Sequence, residues 1–155
     1  MIEDYDFVKY GEEIIEHVRR HFDTDNLGSV FDEEYFSSPE EVIDFALGLE
    51  GVRRYVGKKK ILEVVFSHSI GLEGVVAIDD LPGHVNIERQ YRDGKNEVNF
   101  VREIERKPTN RLVIVMGPLP DMEGHGFLSI YPGSPCPPIE NRGFWEKHAF
   151  IKDNN

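Results

Sequence analysis

RLVIVMGPLPDMEGHGFLSIYPG, running from Arg111 to Gly133, reads as two core strands joined by a long loop that is rich in Gly and Pro and carries a histidine. Leu112 to Met116 is an unbroken apolar run with three β-branched members, Phe127 to Tyr131 is a second run interrupted only by Ser129, and Pro132-Gly133 stops it. Short runs of this kind, bounded by Gly and Pro, favour strand over helix. The intervening Gly117 to Gly126 is long for a hairpin connection, and connections of that length often carry function.

Working outward toward the C-terminus, Pro135 to Ile139 is proline-rich, and Phe144, Trp145, His148, Phe150 and Ile151 form an aromatic tail expected to pack back on the sheet. On the N-terminal side, His84 to Tyr91 alternates, with Val85, Ile87 and Tyr91 on one face and His84, Asn86, Glu88 and Gln90 on the other, the mark of a sheet with one wet face. Glu97 to Ile104 follows with Val98, Phe100 and Ile104 as its apolar set, and Asp93-Gly94 supplies a hairpin turn signal between the two strands. A four-residue loop, Arg92 to Lys95, pairs Tyr91 with Asn96, Ile87 with Phe100, Glu88 with Asn99 and His84 with Glu103, so that the apolar faces coincide. A five-residue loop would oppose polar and apolar faces, and a one-residue slip flips every side chain. Ile61 to Phe66 and Gly74 to Ile78 are two further strands, with Ser67 to Glu73 as a turn carrying His68.

Before residue 51 the pattern is helical. Phe7, Tyr10, Ile14, Ile15, Val18 and Phe22 recur at three- and four-residue intervals from Glu3 to Phe22, one buried helical face, weakened at Gly11. His17 and His21 are spaced i, i+4 on it and could chelate a metal, but the simpler assignment is a polar flank. Asp23 to Ser29 reads as a connection, and Val30 to Phe36 is ambiguous between helix and strand. Ser38-Pro39-Glu40-Glu41 opens a second helix, with Ser38 as N-cap, Pro39 at the first helical position and Glu41 closing a capping box. It runs through Leu47, and Gly48 and Gly51 end it.

The whole of 1–155 is expected to be one α+β domain: an acidic helical part over 1–50, then a mainly β part over 51–155, with two N-terminal helices packed on a curved antiparallel sheet of about five or six strands. One cysteine, Cys136, excludes an intramolecular disulfide, and no apolar run approaches the roughly 18 residues of a membrane span. With the acidic start MIEDYD unlike a signal peptide, the expectation is a cytoplasmic protein without membrane partners. The net charge of −11 is unevenly placed: Met1 to Glu50 holds 3 Lys and Arg against 15 Asp and Glu, whereas the remainder is nearly balanced. The basic run Arg53 to Lys60 and the cluster of Arg102, Arg106, Lys107 and Arg111 permit a phosphate-bearing ligand there, and also read as solvated surface.

Chemistry has three candidate seats. His84 and Glu103, on the polar stripe with Glu88 and beside Arg102, could exchange protons while an arginine holds an anion, or form a solvated sheet face. His125, between two glycines, suits a proton donor or an ordinary loop tip. Ser129 and Tyr131 share one face of the last core strand and could contact a phosphate or satisfy backbone groups. His84, His125 and His148 have no metal-ligand spacing, and no Walker, Rossmann, nucleophile-elbow or Cys/His metal motif occurs. Neither metal nor cofactor is expected.

The order of elements ending in RLVIVMGPLP and GFLSIYPG resembles the superfamily of small metal-independent ribonucleases that includes barnase and RelE-like toxins, over Ser37 to Gly133. That resemblance implies cleavage of RNA by in-line attack of the 2′-hydroxyl, with His84, Glu103, Arg111 and Ser129 as the matching residues; the acidic first third departs from it. From the residues themselves, Arg102, Glu88 and Tyr131 are the expected substrate contacts. The leading expectation is thus an endoribonuclease acting on RNA. The alternatives are a non-catalytic binding or homo-oligomerisation module, and an enzyme of a small acidic or phosphorylated metabolite.

Overall fold

In the computed structural model, residues 8–9, 12–23, 28–53, 58–91, 94–118, 125–137 and 139–152 are described, with backbone alone at Val8, Lys9, Glu12, Glu13, Arg53 and His125. In chain order the elements are β1 (Val8–Lys9), α1 (Glu12–Arg20), β2 (Val30–Phe31), α2 (Pro39–Leu47), α3 (Glu50–Arg53), β3 (Lys60–Val65), β4 (Gly71–Leu72), β5 (Val75–Ala77), a 3-10 turn (Ile78–Asp80), β6 (Glu88–Tyr91), β7 (Glu97–Val101), β8 (Pro108–Thr109), β9 (Arg111–Pro118), β10 (His125–Pro132), α4 (Arg142–Trp145) and β11 (His148–Ile151).

The final hairpin is the longest pairing, and it lies inside a four-stranded sheet of order β1-β10-β9-β3. Leu112, Ile114 and Met116 of β9 and Phe127 and Ile130 of β10 enter the main core, where α1 contributes Ile14 and Val18 and α2 contributes Val42, Ile43 and Ala46. At roughly 25 cal/mol per Å² of apolar surface removed from water, this face supplies the main driving force for the layer of helices on sheet. The predicted first helix is shorter than its periodicity: it begins at Glu12, and Val8–Lys9 is instead a strand paired parallel to His125–Gly126. Phe7, Tyr10 and Gly11 lie outside the described residues. The second helix starts as its sequence dictates. Ser38 Oγ accepts from Glu41 N at 3.3 Å, and the Glu41 carboxylate accepts from Ser37 N at 2.6 Å. That bond holds the Glu41 carboxyl below its ordinary range.

The expected single sheet is in fact three. A second sheet has the order β5-β11-β7-β6, and a small third has β2-β4-β8. The aromatic tail, expected to lie on the sheet, is inside it: β11 pairs antiparallel with β5 and parallel with β7. Val98, Phe100, Trp145 and Phe150 form the core on one side of this sheet, Val101, Ala149 and Ile151 on the other. Burial of β7 on both faces overturns the predicted hairpin register. Tyr91 pairs with Glu97, Arg89 with Asn99 and Glu88 with Phe100, one residue away from the expected pairing. The register argument required β7 to have a wet face, yet Val98, Asn99, Phe100 and Val101 are all buried, whereas Ile87 and Tyr91 are 43% and 61% exposed. With no polar face on β7 to match, alternation in β6 selects nothing. Arg92 and Asp93 of the loop lie outside the described residues.

The sheets are locked where Gly28 meets Gly74. The buried Arg106 guanidinium donates to Gly28 O at 2.7 Å and Ile151 O at 3.0 Å. Gly28 N donates to Ile151 O at 3.1 Å, and Ile151 N donates to Gly74 O at 2.8 Å. A Cβ on Gly74 would lie 1.7 Å from the Gly28 carbonyl carbon, so glycine is required for the backbones to approach this closely. Among the described residues no helix is long and apolar enough to cross a membrane.

Candidate functional site: a histidine cleft between the sheets

One extra residue in β10 builds the site. Phe127 pairs with Met116, but Ser129 pairs with Val115 and Ile130 with Ile114, so Leu128 is a bulge. Strict alternation from Phe127 would send Ser129 and Tyr131 into the core. The bulge resets the phase, so that Ile130 is buried there and the two hydroxyls face the opposite side, as bulges near functional sites commonly re-aim side chains.

Helix α1 brings two imidazoles to that side. His17 and His21 lie one turn apart on the flank of the stripe that buries Ile14 and Val18. His17 Nε2 shares a 2.8 Å hydrogen bond with Ser129 Oγ. His21 Nδ1 lies 2.8 Å from Ser29 O. A carbonyl can only accept, so Nδ1 donates this bond. The two rings are 5.5 Å apart between centroids, and His21 is 5.9 Å from the Tyr131 ring.

The far wall is a proline-rich strap. Gly133 takes the left-handed turn that only glycine adopts cheaply, at φ +118°. Ser134 Oγ donates to Glu73 Oε1 at 2.9 Å, Cys136 N donates to the Tyr131 phenol oxygen at 3.0 Å, and Trp145 Nε1 donates to Pro137 O at 3.2 Å. Burial pushes the Tyr131 hydroxyl up to about 12 and the Cys136 thiol up to about 11, so both are protonated at neutral pH. Tyr131 therefore accepts from the strap and keeps its own proton to donate. His148 completes the wall, stacked on Phe144 with centroids 3.8 Å apart and Nδ1 2.8 Å from Phe144 O. The open cleft has a volume of about 510 Å³.

Only part of the residue set expected from sequence reaches this cleft. Ser129 and Tyr131 line it. His84 does not: it sits exposed in a turn before β6, because the strand begins only at Glu88. Glu103 accepts from Asn86 N at 3.2 Å, and Arg102 pairs with Glu88 at 3.1 Å, both at a separate surface. Arg111 is tied to Glu63 of β3 at 3.2 Å, exposed on both sides. His125 opens β10 instead of tipping a loop, and its side chain lies outside the described residues. The intended acid and base, His84 and Glu103, thus share no hollow with Ser129. Trp145, in the aromatic tail expected to pack back on the sheet, is 4% exposed and stacks on Phe150.

The residues sequence reasoning passed over are His17, His21 and His148. The signal for the first two was present: a histidine pair at i, i+4 directly beside the buried helical stripe. Among the described residues no group of three His, Cys, Asp or Glu is arranged to hold a metal ion. No protein family, curated protein or solved structure matches this chain. Two adjacent imidazoles and two hydroxyl donors make a centre for moving protons. Among the described residues that line it, Glu73 is the one carboxylate and there is no Lys or Arg, which leaves histidinium and hydroxyl groups to stabilise an anion.

Proposed function

We propose that the cleft cleaves RNA phosphodiesters by acid–base catalysis that needs no metal. The observation that carries this is the 2.8 Å bond between His17 Nε2 and Ser129 Oγ in a cleft that also holds His21 and Tyr131. A neutral imidazole takes the 2′-hydroxyl proton as that oxygen attacks phosphorus, and a protonated imidazole returns a proton to the departing 5′-oxygen. Ser129 and Tyr131 donate to the non-bridging oxygens, whose charge grows at the pentavalent stage. The products are a 2′,3′-cyclic phosphate and a 5′-hydroxyl. Histidine suits both roles because its ordinary titration range spans neutrality.

The test is incubation of purified protein with single-stranded RNA in excess chelator. Cleavage with cyclic-phosphate ends is expected, with a bell-shaped pH profile and a rate lowered about 10²- to 10⁴-fold in His17→Ala. Intact RNA, or equal cleavage of a 2′-deoxy strand, refutes it. Self-association is a second reading, supported by β3, which ends its sheet among the described residues and turns Ile61 and Val65 outward at 47% and 62% exposure. A monomer by light scattering at all concentrations removes it.

A further inference from the structure

Among the described residues no Lys or Arg lines the histidine cleft, but a hollow that holds Lys and Arg adjoins it. Ile139 and Trp145 line both. The hollow has a volume of about 170 Å³ and brings together Arg89 of β6, Lys95 of the following loop and Arg142, the first residue of α4. Against Glu97 and Glu146 these leave a local excess of one positive charge, in a chain whose net charge is −11. Tyr91, 61% exposed, is among the residues that line it. The two cavities also share a scaffold. Asn99 accepts from Arg89 Nη1 at 2.9 Å and donates to Trp145 O at 3.1 Å and His148 O at 3.3 Å.

Building on the ribonuclease assignment above, we infer that this hollow is a second phosphate subsite for single-stranded RNA, holding the phosphate next to the scissile one while an adjacent base stacks on Tyr91. Because Ile139 and Trp145 line both cavities, the hollow is the next recess a strand would meet on leaving the histidine cleft on that side. Single-strand grooves pair such backbone cations with aromatic stacking platforms. The division also explains how a cleft with no Lys or Arg among its described lining residues engages a polyanion: attraction is supplied next door, and chemistry by the imidazoles. Arg89, fixed by Asn99 and 3.8 Å from Glu97, shapes the floor, and Arg142 and Lys95, which line the same hollow, contribute positive charge toward phosphate.

The experiment uses the full chain and two probes. A 2′-O-methyl hexanucleotide, which cannot be cleaved, measures binding by fluorescence anisotropy across a salt series, and a dinucleotide with one phosphate measures chemistry alone. Arg142→Glu with Lys95→Glu is expected to weaken hexanucleotide binding by at least about tenfold and to reduce the magnitude of its salt slope by about 1 or more. Dinucleotide turnover should stay within about twofold, since neither residue lines the histidine cleft. Tyr91→Ala should weaken hexanucleotide binding without changing the salt slope. Hexanucleotide binding that is absent in the parent chain, or unchanged in the charge-reversed variant, overturns the subsite. Loss of dinucleotide turnover in the variant also counts against it, because the effect would then lie in the catalytic cleft. A parent chain that binds the hexanucleotide through these residues and cleaves neither probe keeps the subsite and removes the ribonuclease assignment instead.

Discussion

Replacing Gly74 with alanine should break the joint between the sheets and disturb the cleft with it. The new Cβ would start 1.7 Å from the Gly28 carbonyl carbon and 2.0 Å from Ser29 N, whereas ordinary contact begins at 3.4 Å, so backbone must give by about 1.7 Å. Backbone cannot rotate aside as a long side chain would. Such a shift takes Gly28 N away from Ile151 O, now 3.1 Å, and Gly28 O away from Arg106 Nε, now 2.7 Å. The first bond is neutral and contributes about 1 kcal/mol; the second involves a buried charge and contributes about 2 to 3 kcal/mol, more if the guanidinium is left without an acceptor. A destabilisation of about 3 to 4 kcal/mol follows, a large share of the roughly 5 to 15 kcal/mol that holds a domain folded. In urea, with a slope near 2 kcal/mol per M, the unfolding midpoint should fall by about 1.5 to 2 M. Gly83→Ala is the control, because a Cβ there meets nothing within 4 Å and its midpoint should hardly move. A Gly74→Ala midpoint within about 0.5 M of the parent, with unchanged slope, refutes the close-approach argument. Since Ser29 O orients His21, RNA cleavage by any folded Gly74→Ala protein should fall as well.

Asn99→Ala strands the Trp145 carbonyl in a buried setting and removes a partner from the His148 carbonyl and from the half-exposed Arg89 guanidinium, and should cost about 1 to 3 kcal/mol by urea titration; a loss under about 0.5 kcal/mol contradicts it. Cys136 has an ordinary value of 9.0 and about 11 in the fold, so the folded state holds its proton where the unfolded chain has lost it. Its contribution, up to roughly 2 to 3 kcal/mol, is complete below pH 9 and lost as pH rises through 11, so the urea midpoint should decline over that window less steeply in Cys136→Ala. The same burial predicts slow alkylation of the native thiol at pH 8 and rapid alkylation in urea. Tyr131→Phe removes the acceptor for Cys136 N and the donor facing the cleft, and should lower RNA cleavage by about tenfold or more with a stability loss near 1 kcal/mol; retained cleavage removes Tyr131 from the chemistry.

Local pattern was enough for much of the architecture. The apolar runs placed β9 and β10, the Ser38-Pro39-Glu41 signal placed α2, and period-two stretches located β3, β5 and β7. These depend on runs and alternation within one segment, which neighbouring residues encode. Pattern failed for pairing between segments: β11 reads as an aromatic tail but is a central strand, and β7, though located, has no wet face from which to argue register.

The site divides in the same way. That Ser129 and Tyr131 share one face, and that His17 and His21 share another, follows from the strand and helix periods alone. Bringing the two pairs together depended on tertiary structure, because His17 and Ser129 are 112 residues apart and one bulged residue, Leu128, sets whether the hydroxyls face core or cleft. Phe127 and Leu128, adjacent and both apolar, mark that slip in the sequence. Its direction is settled by the packing of Phe127 and Ile130 against helices that are distant along the chain.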